Sequence, residues 1–266
     1  MKHVIIIWAV LVSCTWGYAI EGTAAAPVGT VPLKKGHFGT GIEYIFAEDD
    51  VQTEESFFGG VRLPADKIKK VQLDRIVFVP SYALFDNIII LGRFGGSRMD
   101  IDENANEGSL ASQQGTSDWG FTAGGGVRAV IYKKERFTWA ISGVITWCEL
   151  EGFDPWSGVF NGIPVSDGKM KVNLTDYQFS TGPAYEFVEG WILSAGPYAR
   201  FIDADAKVSA PVLGQTVKTT IHIKEEDYFG GYISSQLMIT DSLGWNVRFA
   251  ATASSYLIGT NVSLAF

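Results

Sequence analysis

Glu43, Arg75, Arg93, Arg128, Glu186, Arg200 and Arg248 each stand among small or polar neighbours in segments whose alternate positions are apolar. Gly126-Val-Arg128, Tyr198-Ala-Arg200 and Asn246-Val-Arg248 show the pattern. Guanidinium and carboxylate groups in one phase support two kinds of chemistry. Paired with one another, they make a buried ionic network that stiffens its enclosure. Left in excess, the arginines line a passage that favours anions.

Other candidates are sparser. The chain has three histidines, His3, His37 and His222. Only His222, with Glu225, Glu226 or a Ser or Asp on a neighbouring strand, offers a place for a hydrolase. No Gly-x-Ser-x-Gly elbow, HExxH helix or paired-Cys metal motif occurs in the sequence. The expectation is therefore a non-enzymatic chain with no catalytic residue, no metal and no cofactor. Asp100-Ile-Asp-Glu-Asn104 and Asp203-Ala-Asp205 carry carboxylates at alternate positions, a spacing of hard ligands that suits calcium. The first lacks the Gly and distal Glu of an EF-hand loop, so solvated acidic loop tips are expected. Glu48-Asp-Asp50, Glu54-Glu55 and Glu225-Glu-Asp227 extend the same acidic rim, where divalent ions shared with lipopolysaccharide would sit. Asp154-Pro-Trp-Ser-Gly-Val-Phe160 reads as an aromatic loop, with Trp156 and Phe160 either meeting an external ligand or host surface or folding over a mouth.

The elements that position these residues have period two from Gly36 onward. Strands are expected at 37–47, 69–84, 88–99, 119–132, 137–149, 170–187, 191–208, 216–239, 245–253 and 256–266. That gives about ten strands, with eight and twelve left open. The links at Asp86, Glu135, Glu189 and Ser242 are tight, whereas 48–68, 100–118 and 150–169 are long and polar. An up-and-down barrel puts every tight turn on one side and every long loop opposite, the layout of bacterial outer-membrane barrels. Trp139, Trp147, Trp191 and Trp245 fall near strand ends in the phase assigned to lipid, as an aromatic girdle requires. Charges in the other phase then point inward, since an Arg facing lipid at midplane costs roughly 2–4 kcal/mol. Gly124-Gly-Gly126 is no phosphate loop; it lets a sheet curve or makes room for large lumen residues.

Composition and the two ends agree. Met1-Lys-His3, the apolar run Val4–Val12 and the small residues Gly17 and Ala19 read as a secretory signal peptide cut after Ala19. Leu11-Val-Ser-Cys14 is a competing lipoprotein-type cut that would acylate Cys14. Residues 20–35 form a flexible periplasmic lead-in, and 36–266 the barrel. The chain is 47% hydrophobic and 19% charged, with 30 Gly and 17 Phe, apolar residues being dispersed singly along strands. A net charge of −8 argues against nucleic acid as a partner. Cys148 has no second mature cysteine to pair with once Cys14 leaves.

Residues Gly36 to Phe266 resemble the small outer-membrane β-barrel family of Gram-negative bacteria, of the opacity/OmpX-like kind. The hairpin from Val79 to Gly92, the export signal and the closing segment carry the resemblance. In that family the terminal aromatic and the apolar residues two and four before it are read by the barrel-assembly machinery; Phe266, Leu264 and Val262 occupy those places, with Asn261 where Gly is frequent. The resemblance implies a closed, all-β, antiparallel transmembrane barrel in the outer membrane, in contact with its lipid and lipopolysaccharide. Its role is expected to be structural or surface interaction through external loops. A narrow, porin-like passive channel with an Arg-rich lumen is the alternative, and an outer-rim hydrolase the third reading.

Overall fold

The computed structural model describes residues 35–58, 61–63, 65–101, 113–160, 163–212 and 215–266. Among them the chain forms fourteen strands and no helix. These are β1 (Phe38–Thr53), β2 (Ser56–Phe58), β3 (Val61–Leu63), β4 (Lys67–Phe85), β5 (Ile88–Ile101), β6 (Gln113–Thr116) and β7 (Gly120–Lys134). β8 (Phe137–Phe160), β9 (Ile163–Val188), β10 (Trp191–Val212), β11 (Gln215–Glu225), β12 (Phe229–Met238), β13 (Leu243–Thr252) and β14 (Ser255–Ala265) follow.

Ten strands close a ring in the order β1, β4, β5, β7, β8, β9, β10, β12, β13, β14 and back to β1, every contact antiparallel. Closure removes the open edge that a sheet of apolar outer faces would otherwise present. The seam of β1 and β14 runs in unbroken register from Gly39↔Ala265 to Asp49↔Ser255. His37 Nδ1 adds a bond of 2.9 Å to the carbonyl of Phe266 at its lower end. Tight turns at 86–87, 135–136 and 189–190 share that lower end.

The wall changes toward the upper end. β12, β13 and β14 stop, and β11 leans across them to join β10 to β1, with Val51↔Glu225 its lowest pair to β1. β6 likewise takes the place of β7 between β5 and β8. The upper ring is therefore β1, β4, β5, β6, β8, β9, β10 and β11. An interior bounded by eight strands is narrow enough for side chains to fill.

Hydropathy follows the same division. In the lower part Ile42, Tyr44, Ile76, Phe78, Phe94, Ile141, Ile145, Phe179, Phe249 and Ile258 are exposed on the outside, as hydrocarbon demands. Above Phe46 the pattern inverts. Glu48, Gln72, Glu149, Lys171, Asn173 and Asp203 face outward, while Ala47, Leu73, Leu150, Val172, Leu174 and Ala204 are buried within. Phe153, Ile202, Ile221 and Val208 extend that upper core, so the top of the barrel is a water-facing sheet wrapped around an apolar filling.

Two expectations change. The regions 48–68 and 150–169 are not loops throughout: β1 runs to Thr53 and β8 to Phe160, because inward apolar residues continue past the membrane. Asp154 to Phe160 is thus strand, its side chains lying outside the described residues. The segment 216–239 is two strands, broken at Glu226–Tyr228 where β11 and β12 part toward different neighbours. On β4, Lys69 and Lys70 together oppose Asp50 in a bulge, Lys70 taking φ +54°. That conformation costs a side-chain-bearing residue about 1–2 kcal/mol. Residues 1–34 lie outside the described residues, and with them the export segment, the cut after Ala19, Cys14 and the lead-in.

Candidate functional site

The charged residues gather between two apolar layers of the lumen. Below them Ala140, Ala184 and Ile192 make one small cluster and Ala83, Ile89 and Ala265 another; above lies the core already described. Arg93 starts from β5 opposite Gly124 of β7, which in turn faces Thr146 of β8. With no side chain at Gly124, the guanidinium crosses to Thr146 Oγ1 at 2.6 Å and reaches Glu43 Oε2 at 2.7 Å. A Cβ at Gly124 would lie 2.3 Å from the carbonyl oxygen of Ile145, so the position admits only glycine without a shift of the wall.

A second group centres on Asp176 of β9. Its carboxylate accepts from Arg75 at 3.2 Å, Arg200 Nε at 3.2 Å and Gln178 at 2.9 Å. Arg200 also donates to Asp49 at 2.5 Å, and Arg75 Nε to Ser97 at 3.1 Å. Ser97 and Thr122 share a bond of 2.6 Å. All of these side chains are buried. Each charge removed from water thus has a partner of opposite sign or a hydroxyl, the condition under which such burial is tolerable.

Arg248 differs. No carboxylate among the described residues lies within ion-pair distance, and its guanidinium instead sits 4.7 Å from the Tyr198 ring centre and 5.6 Å from that of Tyr232. Gly259, opposite it on β14, leaves the room. Cation–π attraction in a dry site amounts to about 2 kcal/mol. Arg128 is buried on β7. Glu186 stands apart from the network: half-buried at the lower mouth, its carboxylate accepts from the Gly190 amide at 2.9 Å and closes the turn to β10.

Asp49, Asp176, Glu225 and Tyr198 are lumen residues beyond those picked from the sequence. Asp176 shares its phase with Gln178 and Ser180, so alternation along β9 points it inward. Asp49 and Glu225 belong to the segments read as acidic rim; both are instead buried, Glu225 accepting from Ser255 at 3.0 Å. Their sign hid them: with β1 expected to end at Ala47, a run of carboxylates read as solvated. Asp203 and Asp205 are not loop tips either, but face outward on β10 opposite Lys224 and His222.

His222 Nδ1 lies 2.5 Å from Asp205 Oδ1 on the exposed upper wall. Lys224 next to it binds Glu54 and holds that carboxyl below its ordinary range. No hydroxyl or thiol of the described residues hydrogen-bonds the imidazole, and Glu225 is turned to the inside. Among the described residues no group of three His, Cys, Asp or Glu is placed to hold a metal ion. Cys148 is buried and unpaired by any disulfide.

On the lipid-facing wall, Trp139, Trp191 and Trp245 donate their indole N–H to Thr181, Ser235 and Thr260 at 2.9–3.0 Å. Val262, Leu264 and Phe266 share the outward phase of the last strand, Val262 and Phe266 being exposed.

This architecture defines an all-β, closed, antiparallel transmembrane barrel of the outer-membrane class. A solved structure shares it. The outer membrane protease OmpT of Escherichia coli superposes with a TM-score of 0.51 at 8% identity, over 93% of this chain and 99% of that one. OprG of Pseudomonas aeruginosa (TM-score 0.45, 12% identity, 87% and 97% covered) and AlkL (0.42, 14%, 91% and 95%) are similar over most of their lengths. At 8% identity the likeness to OmpT is one of fold. No protein-family description and no curated protein matches the sequence.

Proposed function

We propose that the chain is a non-enzymatic integral protein of a bacterial outer membrane, of the small opacity/OmpX-like kind, whose closed barrel is a scaffold for structural or surface-interacting duties. Its partners on this reading are outer-membrane lipid and lipopolysaccharide, with the assembly machinery engaging Val262, Leu264 and Phe266 during insertion. One observation carries the reading: the interior is filled. Glu43, Asp49 and Asp176 ion-pair with Arg75, Arg93 and Arg200, so three of the five lumen arginines are already answered and the positive charge that an anion passage needs is much reduced. The apolar core above the network adds a second barrier. Planar-bilayer recording tests it. Wild type, Arg128→Ala and Arg200→Ala are expected to give no steady single-channel steps; steps whose ion selectivity changes with either substitution would establish the channel instead.

A second reading, an outer-rim hydrolase, is favoured only by the His222–Asp205 pair. OmpT, an outer membrane protease of similar fold, supports hydrolysis on a barrel of this fold and nothing finer. Loss of a lipid- or peptide-hydrolysing activity in His222→Ala would move the reading to this alternative.

A further inference from the structure

Four lysines come together on the upper outer wall, although the chain as a whole is acidic, at −8. Val208 and Ala210 of β10 are buried, so Lys207 and Ser209 face outward. Met170 of β9 and Ile221 of β11 are buried in the same way, which turns Lys169, Lys171 and Lys218 out beside them. Register then sets the neighbours. Ser209 pairs with Lys169 on one side and Lys218 on the other, and Lys207 stands opposite Lys171 and Thr220. Like charges directly across a strand pair are destabilising. Lys171 is relieved, its ammonium held by Glu149 at 2.5 Å and Glu151 at 2.7 Å.

The other three lysines, Lys169, Lys207 and Lys218, are exposed and make no ion pair with any described residue. Asp205, next below Lys207 on the same face, is itself bound to His222 at 2.5 Å. Three ammonium groups thus flank one serine hydroxyl, a set of donors that suits a phosphate. Height and direction select the source of that anion. Lys207 and Ser209 lie four and six residues beyond Asp203, where the outer face of β10 turns polar. On a tilted strand that is about 10 and 15 Å above the hydrocarbon. Phospholipid headgroups end within about 5–8 Å of it. The patch also faces sideways, along the membrane plane, toward molecules standing in the outer leaflet. A glycolipid with phosphates on its sugars reaches that height; a phospholipid does not.

We propose that Lys169, Lys207 and Lys218, with Ser209 between them, bind a sugar phosphate of lipopolysaccharide. The site rests on the outer-membrane reading above and gives that partner a defined place on the wall.

The test uses the full-length mature barrel in micelles of an uncharged detergent, without divalent cations. Calorimetric titrations add rough lipopolysaccharide, the same material after dephosphorylation, or inorganic phosphate. The phosphorylated form is expected to bind at least about tenfold more tightly than the dephosphorylated one, and Lys207→Gln with Lys218→Gln to weaken it about tenfold. Both side chains are exposed, so this double variant keeps the fold. Lys133→Gln with Lys134→Gln removes two exposed lysines beside a lower turn and should leave the affinity unchanged. Unaltered affinity in the upper variant, an equal loss in the lower one, or equal binding of the dephosphorylated form would each overturn the proposal. So would inorganic phosphate competing at concentrations equal to the glycolipid, since the ligand would then be a free anion. Heat-sensitive gel mobility in the same micelles reports separately on the barrel. A chain that never gives the shift fails the outer-membrane reading; one that gives it and does not bind fails this site alone.

Discussion

Arg200 and Arg248 are both fully buried arginines on the lumen side, yet their surroundings predict opposite responses to removal. Arg200 stands between two carboxylates, Asp49 and Asp176. Exchanging it for Met leaves Asp49 in an apolar setting with its donor gone, and an orphaned buried charge costs about 3–5 kcal/mol. Arg248 faces tyrosine rings, and two of its nitrogens have no hydrogen-bond partner. Met there forfeits the ring attraction but also removes unsatisfied donors, so the net change is expected within about 1 kcal/mol of zero. Urea unfolding of the two variants in detergent, read by the heat-sensitive shift in gel mobility, measures the difference. Similar losses for both would mean that an ionic partner, and not the tyrosine rings, holds Arg248.

The element that makes room for the network is β7, through its run of three glycines. Gly124 and Gly126 face inward, and a Cβ on either would fall 2.3 Å or 2.6 Å from a carbonyl oxygen of β8. Gly125 faces outward, its added Cβ meeting Leu91 O at 3.1 Å. Gly124→Ala must displace the wall and crowd Arg93, an overpacking cost of about 1–3 kcal/mol, whereas Gly125→Ala should lose clearly less. Refolding yield and unfolding midpoint of the two single variants compare them. Much of this was legible in sequence. Alternation put Glu43, Arg75, Arg93, Arg128, Arg200 and Arg248 inside and assigned Gly124–Gly126 the task of making space. What alternation alone does not reveal is which carboxylates answer the arginines, because Asp49 and Glu225 lie in acidic runs that look solvated. The division of 216–239 into β11 and β12 is hidden for another reason. It depends on β13 and β14 being too short to reach the upper ring, a property of neighbours and not of the segment itself.

Across the molecule the same two phases exchange solvents part-way up the wall. Below the change the outer face is apolar and the inner face carries most of the ionic network; above it the outer face is charged and the inner face mostly apolar, Asp49 and Glu225 being the buried exceptions. On β10 the switch falls between Phe201 and Asp203, on β9 between Tyr177 and Thr175, on β8 between Trp147 and Glu149, on β1 between Phe46 and Glu48. A strand in one uniform solvent has no reason to invert, so the switch marks where hydrocarbon ends. The inversion is written in the sequence: Leu150, Leu174 and Ala204 lie in the phase that carries Thr146, Asp176 and Arg200 lower down. Reading each strand as one pattern, with one wet and one greasy face, conceals it. The boundary predicts a step in chemical accessibility. In membranes carrying the protein with Cys14 exchanged for Ala, single cysteines at Phe46 and Phe201 should resist a membrane-impermeant maleimide. Cysteines at Glu48 and Asp203, two residues along the same outer faces, should react readily, and Cys148, buried in the upper core, should supply no background. A lipid border set elsewhere would shift the step along all strands together. Labelling that rises gradually or differs from strand to strand would show that the hydropathy switch reflects internal packing alone, and the upper half would then lose its claim to stand in water.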